Sequence, residues 1–291
     1  MDNYDNIRSP NLSNDSIEEK KNHFRQYKSG VNEAICNHYR NLRKNQTLEY
    51  NLNIRKKFEN REKVKMTLWD AIQKLNFFVD VSDPDIELSN IHHLFQSAEK
   101  AREDGKSTWF QLTCLLHDLG KIMYLWGSDE DGTSISNQWG IVGDTFIVGC
   151  KIPNSVVYPE FNITNTDMSH PIYSTELGIY KKGCGLNNTL CSWGHDEFLY
   201  QTLMNPLNEN KLPEEALYMI RYHSLYPWHS RGEYNMLEDS KDIDMYEFVS
   251  EFNKYDLYSK ENKPINLNDQ KIISHYTNIF NKYFPSGVIY L

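Results

Sequence analysis

The residues best equipped for chemistry in this chain are histidines and aspartates, three of which fall on apolar helix faces. His117 and Asp118 are adjacent, His195 and His223 follow at long intervals, and Asp256 comes near the end. Imidazole and carboxylate are ligands for iron, zinc or manganese. In the segment 193–204, His195 is in phase with Phe198, Leu199 and Thr202. In 213–224, Pro213 suits a first helical position with Glu214 and Glu215 behind it, and His223 is in phase with Ala216 and Ile220. In 244–258, Met245, Phe248, Val249 and Phe252 make a stripe that Asp256 continues. A lone histidine on such a face is usually only hydrogen-bonded. A buried aspartate needs a cation, a metal or a proton, because an unpaired one costs several kcal/mol. With two buried-looking histidines in the same chain, a metal is the economical partner.

The segment 108–125 carries the remaining pair. Leu112, Leu115, Leu116, Leu119, Ile122 and Met123 follow helical spacing and form one apolar stripe. At about 100° per residue, His117, Asp118 and Lys121 share the opposite face. Taken alone, that helix is better explained by an ordinary solvated face. In the segment 90–103, Asn90 suits a cap, and Ile91, Leu94, Phe95 and Ala98 form the stripe. His92 and His93 both lie off it, so periodicity does not choose between them.

These segments, with others near 66–75 and 267–283, predict an all-α chain of one domain over 21–291. Residues 1–20 read as a polar, disordered tail, and 16–58 as charged surface helix packed on the body. Residues 127–172, rich in Gly, Asn and β-branched residues, are expected to be a long loop with a short hairpin at most. A connection of that length is often functional. The 291 residues carry a formal net charge of -9, which argues against nucleic acid as a partner and suits a neutral or cationic small substrate. Five cysteines without CxxC spacing suit a reducing compartment. No apolar run approaches a membrane span of about 18 residues, so a cytoplasmic protein is expected; a monomer is the expected state.

The order His93, His117-Asp118, Asp256 is the H…HD…D pattern of HD-domain proteins, and His195 and His223 fit a binuclear version. The runs around these residues are more specific. HLFQSAE at 93–99, LLHDLGKIMYLWG at 115–127, VGDTFIVGC at 142–150, YSTELGIY at 173–180, SWGHDEFLYQ at 192–201, MIRYHSLYPWH at 219–229 and EFNKYDLYSK at 251–260 resemble the myo-inositol oxygenase family, in unbroken order from about residue 24 to the C-terminus.

The resemblance implies an HD-type helical fold around a mixed-valent Fe(II)/Fe(III) pair. The family uses O2 to open the ring of myo-inositol between C1 and C6, giving D-glucuronate, the first step of inositol catabolism. By residue match, one iron takes His93, His117 and Asp256, the other takes His195 and His223, and Asp118 bridges them. Substrate contacts carry over to Arg25, Asp80, Val81, Ser82, Asp83, Lys121, Gly143, Asp144, His223 and Ser224, with Lys121 and Asp118 in catalytic roles. Two departures stand out. Val81 replaces an acid in the family's D-E-S-D turn, and 128–138 is longer than the usual link and reads as a surface insertion. His92, His170, His229 and His275 receive no metal role. The competing functions are an HD-domain phosphohydrolase, which would need several basic residues near the ligands where only Lys121 is in phase, and a non-catalytic module on the same scaffold.

Overall fold

The computed structural model describes residues 25, 27, 32–60 and 64–291. The expected tail over 1–20 lies outside the described residues. The chain is all-α, with helices α1 (Glu33–Asn45), α2 (Leu48–Lys57), α3 (Leu68–Lys74), α4 (Asn90–Glu103), α5 (Thr108–Leu116), α6 (His195–Met204), α7 (Glu214–Tyr222), α8 (Tyr226–His229), α9 (Ser240–Tyr258) and α10 (Gln270–Tyr283). A short antiparallel pair, β1 (Lys65–Thr67) and β2 (Val288–Tyr290), ties the C-terminus back to the body, with Met66 opposite Ile289. This pair has no alternating signature long enough to see in the sequence. No helix of the described residues is long and apolar enough to cross a membrane.

Local chemistry starts the helices. The side chains of Asn32, Thr47, Thr67 and Asp269 cap α1, α2, α3 and α10 by accepting from backbone N–H groups of the first turn. At α9, Asp239 accepts from the N–H groups of Lys241 and Asp242, while Asp242 accepts from the N–H of Asp239. This reciprocal box places the start of α9 at Ser240, earlier than the apolar stripe suggested. At α4 the cap position is Ser89 rather than Asn90, and the Asn90 side chain is used elsewhere, as described below. Pro213 stands at the cap position of α7, one residue before the helix.

One buried cluster runs from Ile54 to Leu291 and includes Leu94, Leu115, Leu116, Phe198, Tyr222, Trp228 and Phe252. At about 1.5–3 kcal/mol for each large apolar side chain removed from water, this cluster is the main stabilising term. Two smaller clusters seat α1 and α2 against the long loop: Leu42 and Leu48 meet Trp139, Phe146 and Val148, and Ile35 and Tyr39 meet Tyr158. The 33–57 region therefore packs on the body as expected, as two helices broken at Gln46–Thr47. The loop 127–172 contains no hairpin; it forms short 3-10 turns at Pro159–Thr164 and Thr166–Ser169 and a single bridge between Ile147 and Cys191.

The largest correction concerns 108–125. The α-helix stops at Leu116, and Leu119–Trp126 continues as 3-10 turns. His117 and Asp118 occupy the junction. Both sides are buried: the expected stripe is fully enclosed, and so are His117, Asp118 and Lys121. The break matters because it turns the His117 and Asp118 side chains inward from a helix end, where a continuous helix would have left them on one lateral face. Removing the reciprocal cap with Asp239→Ala should lower stability by about 1 kcal/mol, read as a lower denaturant midpoint with an unchanged slope.

Candidate metal centre

Helix termini deliver the metal-type residues to one point. His93 lies in the first turn of α4, and His195 is the first residue of α6. His117 and His223 stand at the C-cap positions of α5 and α7, and Asp256 lies in the last turn of α9. All of them, with Asp118, are buried.

The main chain fixes which nitrogen of each ring is available. His117 Nδ1 donates to the Cys114 carbonyl at 2.8 Å and His223 Nδ1 to the Ile220 carbonyl at 2.8 Å. In both cases the acceptor is three residues back, a carbonyl of the last helical turn that the helix leaves without an intrahelical partner. His195 Nδ1 donates to the Ile141 carbonyl at 2.7 Å. The proton on Nδ1 leaves the lone pair on Nε2, the usual arrangement of a metal-bound histidine with its outer partner. His93 differs, since its Nδ1 is buried without a hydrogen-bond partner.

The free Nε2 atoms and the carboxylates converge on Asp118 from two sides. On one side, His93 Nε2 lies 3.0 Å from Asp256 Oδ1 and 3.2 Å from His117 Nε2. These two rings stand 3.8 and 3.5 Å from Asp118 Oδ2. On the other side, His195 Nε2 and His223 Nε2 are 3.0 Å apart and lie 3.0 and 3.7 Å from Asp118 Oδ1. Ligand atoms about 2.1 Å from a common ion would be separated by distances of this size. Lone pairs of facing imidazoles repel each other at 3.0 Å, and a cation between them removes that repulsion. The donor set therefore fits two adjacent metal ions, one held by His93, His117 and Asp256, the other by His195 and His223, with Asp118 between them.

Electrostatics favour ionised carboxylates. Burial alone would push the Asp118 carboxyl up, but Lys121 and the surrounding imidazoles hold it well below the usual carboxylate range. Asp256 is likewise held low against its burial, by hydrogen bonds to His117 and His93 and by the charge of Lys260. Burial lowers His93, which favours the neutral ring. Lys121 is fully engaged: its ammonium donates to Asp80 Oδ2, Asn90 Oδ1 and Asp118 Oδ2, each at 2.8 Å. Asn90 also donates to Asp118 Oδ2 at 3.1 Å. Asp80 stays ionised at about pKa 2, because the opposing effect of burial is overcome by Lys121 and a hydrogen bond from Ser82.

The centre opens into a cleft whose empty space, open solvent included, is about 430 Å³. Arg25, Asp80, Ser82, Asp83, Lys121, Gly143, Asp144, His223 and Ser224 all line it. Val81 does not. Its side chain is 41% exposed, and its backbone N–H donates to Gln138 Oε1 at 3.2 Å. The turn sends Asp80, Ser82 and Asp83 inward and Val81 outward. Gln138 also donates to the Val79 and Ile135 carbonyls, so the end of the 128–138 insertion braces the acidic turn. On the far wall, Arg25 makes a two-oxygen ion pair with Asp144 at 2.6 and 2.7 Å, and its guanidinium lies 3.7 Å from the Tyr226 ring.

Several site residues escaped the sequence analysis. Asn90 was taken for a cap. Tyr226 donates to Asp256 Oδ2 at 3.1 Å, and Lys260 lines the cavity. Gly120 sits so close to α6 that a Cβ there would lie 1.9 Å from the His195 carbonyl oxygen. A glycine two residues after an HD pair and directly before a lysine is the available signal. The unassigned histidines contribute no ring nitrogen to the ligand cluster. His92 accepts from the Ile265 N–H, His275 pairs with Gln111, and His170 stacks on Tyr173. His229 Nε2 meets the carbonyl of His223 at 2.9 Å, supporting that ligand's backbone.

Comparison with known proteins agrees with this geometry. The family profile described as myo-inositol oxygenase matches residues 32–290. Among curated relatives, inositol oxygenase of Rattus norvegicus is 43% identical over 268 residues, covering 91% of this chain and 90% of the relative. Inositol oxygenase of Dictyostelium discoideum is 40% identical over 267 residues, 90% and 88% of the two chains. Inositol oxygenase 2 of Arabidopsis thaliana is 39% identical over 267 residues, 90% and 81%.

Three variants test the centre. Gly120→Ala should displace the start of α6 and weaken metal retention about 10- to 100-fold, as for other outer supports of a ligand. His223→Ala and Asp256→Ala should each lose bound metal outright. Full metal content in both of the latter, by elemental analysis, would refute the ligand set.

Proposed function

The chain belongs to the myo-inositol oxygenase family, and on that premise we propose that it cleaves myo-inositol with O2 between C1 and C6 to give D-glucuronate, as the first step of inositol catabolism. The supporting observation is the two-sided cluster around Asp118, set in the wall of a cavity lined by acid–base pairs. We assign iron to both positions, because imidazole and carboxylate suit iron and no cysteine lines the cavity. When bound, a mixed-valent iron pair supplies a Lewis acid for substrate hydroxyl oxygens and a redox partner for O2.

The protein's own residues do the rest. Asp118 and Lys121 form the catalytic pair: Lys121 keeps Asp118 ionised between the two positions and holds Asp80 at the cavity edge. Asp80, Asp83 and Asp144 offer acceptors to ring hydroxyls, and Ser82 and Ser224 offer hydroxyls that act as donor or acceptor. Arg25, with its Asp144 partner and the Tyr226 ring, covers one wall and limits water. The four electrons needed to reduce O2 come from the substrate, since myo-inositol plus O2 equals glucuronic acid plus water. We further propose that one domain over 21–291 carries this activity, in a cytoplasmic monomer.

A phosphohydrolase site needs uncompensated positive charge for its phosphate. Three cations, Arg25, Lys121 and Lys260, line the cavity, where phase had indicated one. Each is already paired with an aspartate: Asp144, Asp80 and Asp83 respectively. A phosphate dianion would meet compensated charge, whereas a neutral polyol can insert among donors and acceptors of both kinds. Iron-loaded protein should consume O2 only when myo-inositol is added, and should form glucuronate without an external reductant. Phosphatase activity with Mn(II), with no O2 uptake on myo-inositol, would sink this function.

A further inference from the structure

The two lysines of the cavity differ in how much hydrogen-bonding capacity they have left. A lysine ammonium carries three donors. Lys121 has spent all three on protein oxygens. Lys260 is as enclosed, with a side chain only 8% exposed, yet among the described residues its one hydrogen-bond partner is Asp83 Oδ2 at 2.7 Å. Burial works against its charge, but Asp83 and Asp256 keep it protonated. Two donors of a desolvated ammonium are thus left on the surface of the cavity. Unmade hydrogen bonds of a buried charged group cost more than those of a neutral one, so a ligand that supplies acceptors there gains what the protein has left unmade.

Its partner is also part of the wall. Asp83 receives the Asp85 N–H on its other oxygen, and Asp85 in turn accepts the backbone N–H of Arg25. Lys260 follows the last turn of α9, one turn beyond Asp256. It therefore stands where the acidic turn meets the metal-bearing helix.

We infer that Lys260 is a substrate-binding, specificity-determining residue: its ammonium donates to a ring hydroxyl of the polyol, while Asp83 both holds it and accepts from the neighbouring hydroxyl. Lys121, by contrast, already gives its donors to Asp80, Asn90 and Asp118. The inference rests on the function proposed above. Turnover of myo-inositol by the unmodified iron-loaded enzyme tests that function separately, and the Lys260 variants are read only against it.

Lys260→Met keeps the length of the side chain and removes its donors. On the holoenzyme it should raise KM and the calorimetric Kd for myo-inositol about 10- to 100-fold, with iron content unchanged and kcat within about threefold, as expected for a lost binding contact. Lys260→Arg should recover part of the affinity. The double variant Asp83→Asn with Lys260→Met leaves no unpaired carboxylate, and it serves if the single variant does not fold. A panel of monodeoxy-inositols supplies the readout that a structural role would not move. The unmodified enzyme should lose affinity when the hydroxyl facing Lys260 is removed, and Lys260→Met should be indifferent to that one deletion. A Kd within about twofold of the unmodified enzyme, or a loss of equal size for every deoxy analogue, would overturn the inference.

Discussion

The structure depends on one carboxylate that faces two ways. Asp118 is buried, and its two oxygens look toward separate groups of imidazoles. Putting such a charge in the interior costs several kcal/mol, and removing one member of a buried pair costs about 3–5 kcal/mol. Lys121 and Asn90 answer part of that cost directly. The remainder falls to whatever positive charge occupies the two sides. This is why the helices end where they do. A helix interior would hold its side chains on a lateral face and could not bring six donors within ligand distance of one another. Five helix ends, each contributing a residue at or near its terminal turn, can.

The same termini solve a second problem. The last carbonyls of a helix lack intrahelical partners. At α5 and α7 an imidazole Nδ1–H fills that gap, so helix termination and ring tautomer are set by one bond. The apolar core then holds these ends rigidly: Leu115, Leu116, Met219 and Ile220 are fully enclosed immediately before the ligands that follow them. Packing energy and metal geometry are coupled here, and a cavity cut near these residues would loosen the ligands as well as the fold.

Much of this was legible in the sequence and some was not, for physical reasons. The apolar stripes of 193–204, 213–224 and 244–258 located α6, α7 and most of α9, because burial of one face is what periodicity records. His223 and Asp256 were suspect on the same ground. The break after Leu116 was invisible, since Leu119, Ile122 and Met123 keep helical spacing through a segment that tightens into 3-10 turns. His93 could not be separated from His92 by phase, because a residue in the first turn of a helix is oriented by the terminus and not by the stripe. Asn90 shows the limit most clearly. Its residue type suits a cap, and only the fold shows that its amide bridges Lys121 and Asp118. The placement of Val81 outside the cavity explains why an apolar residue is tolerated among acids.

Charge compensation around the cavity also resolves an apparent conflict between composition and site. A chain with a net charge of -9 would be expected to present an acidic pocket. Instead Arg25, Lys121 and Lys260 each meet an aspartate within the wall. Such pairs gain less from Coulomb attraction than their number suggests, because desolvation offsets most of it. What they provide is a surface that is polar in detail and near neutral in sum. That surface discriminates against ions, which need uncompensated charge, and in favour of a ligand with many hydroxyls, each able to donate to one member of a pair and accept from the other. The pairs differ in how saturated they are, and saturation decides their roles. A cation whose donors are all taken, such as Lys121, can hold other groups in place. One with donors to spare, such as Lys260, has something to offer a ligand.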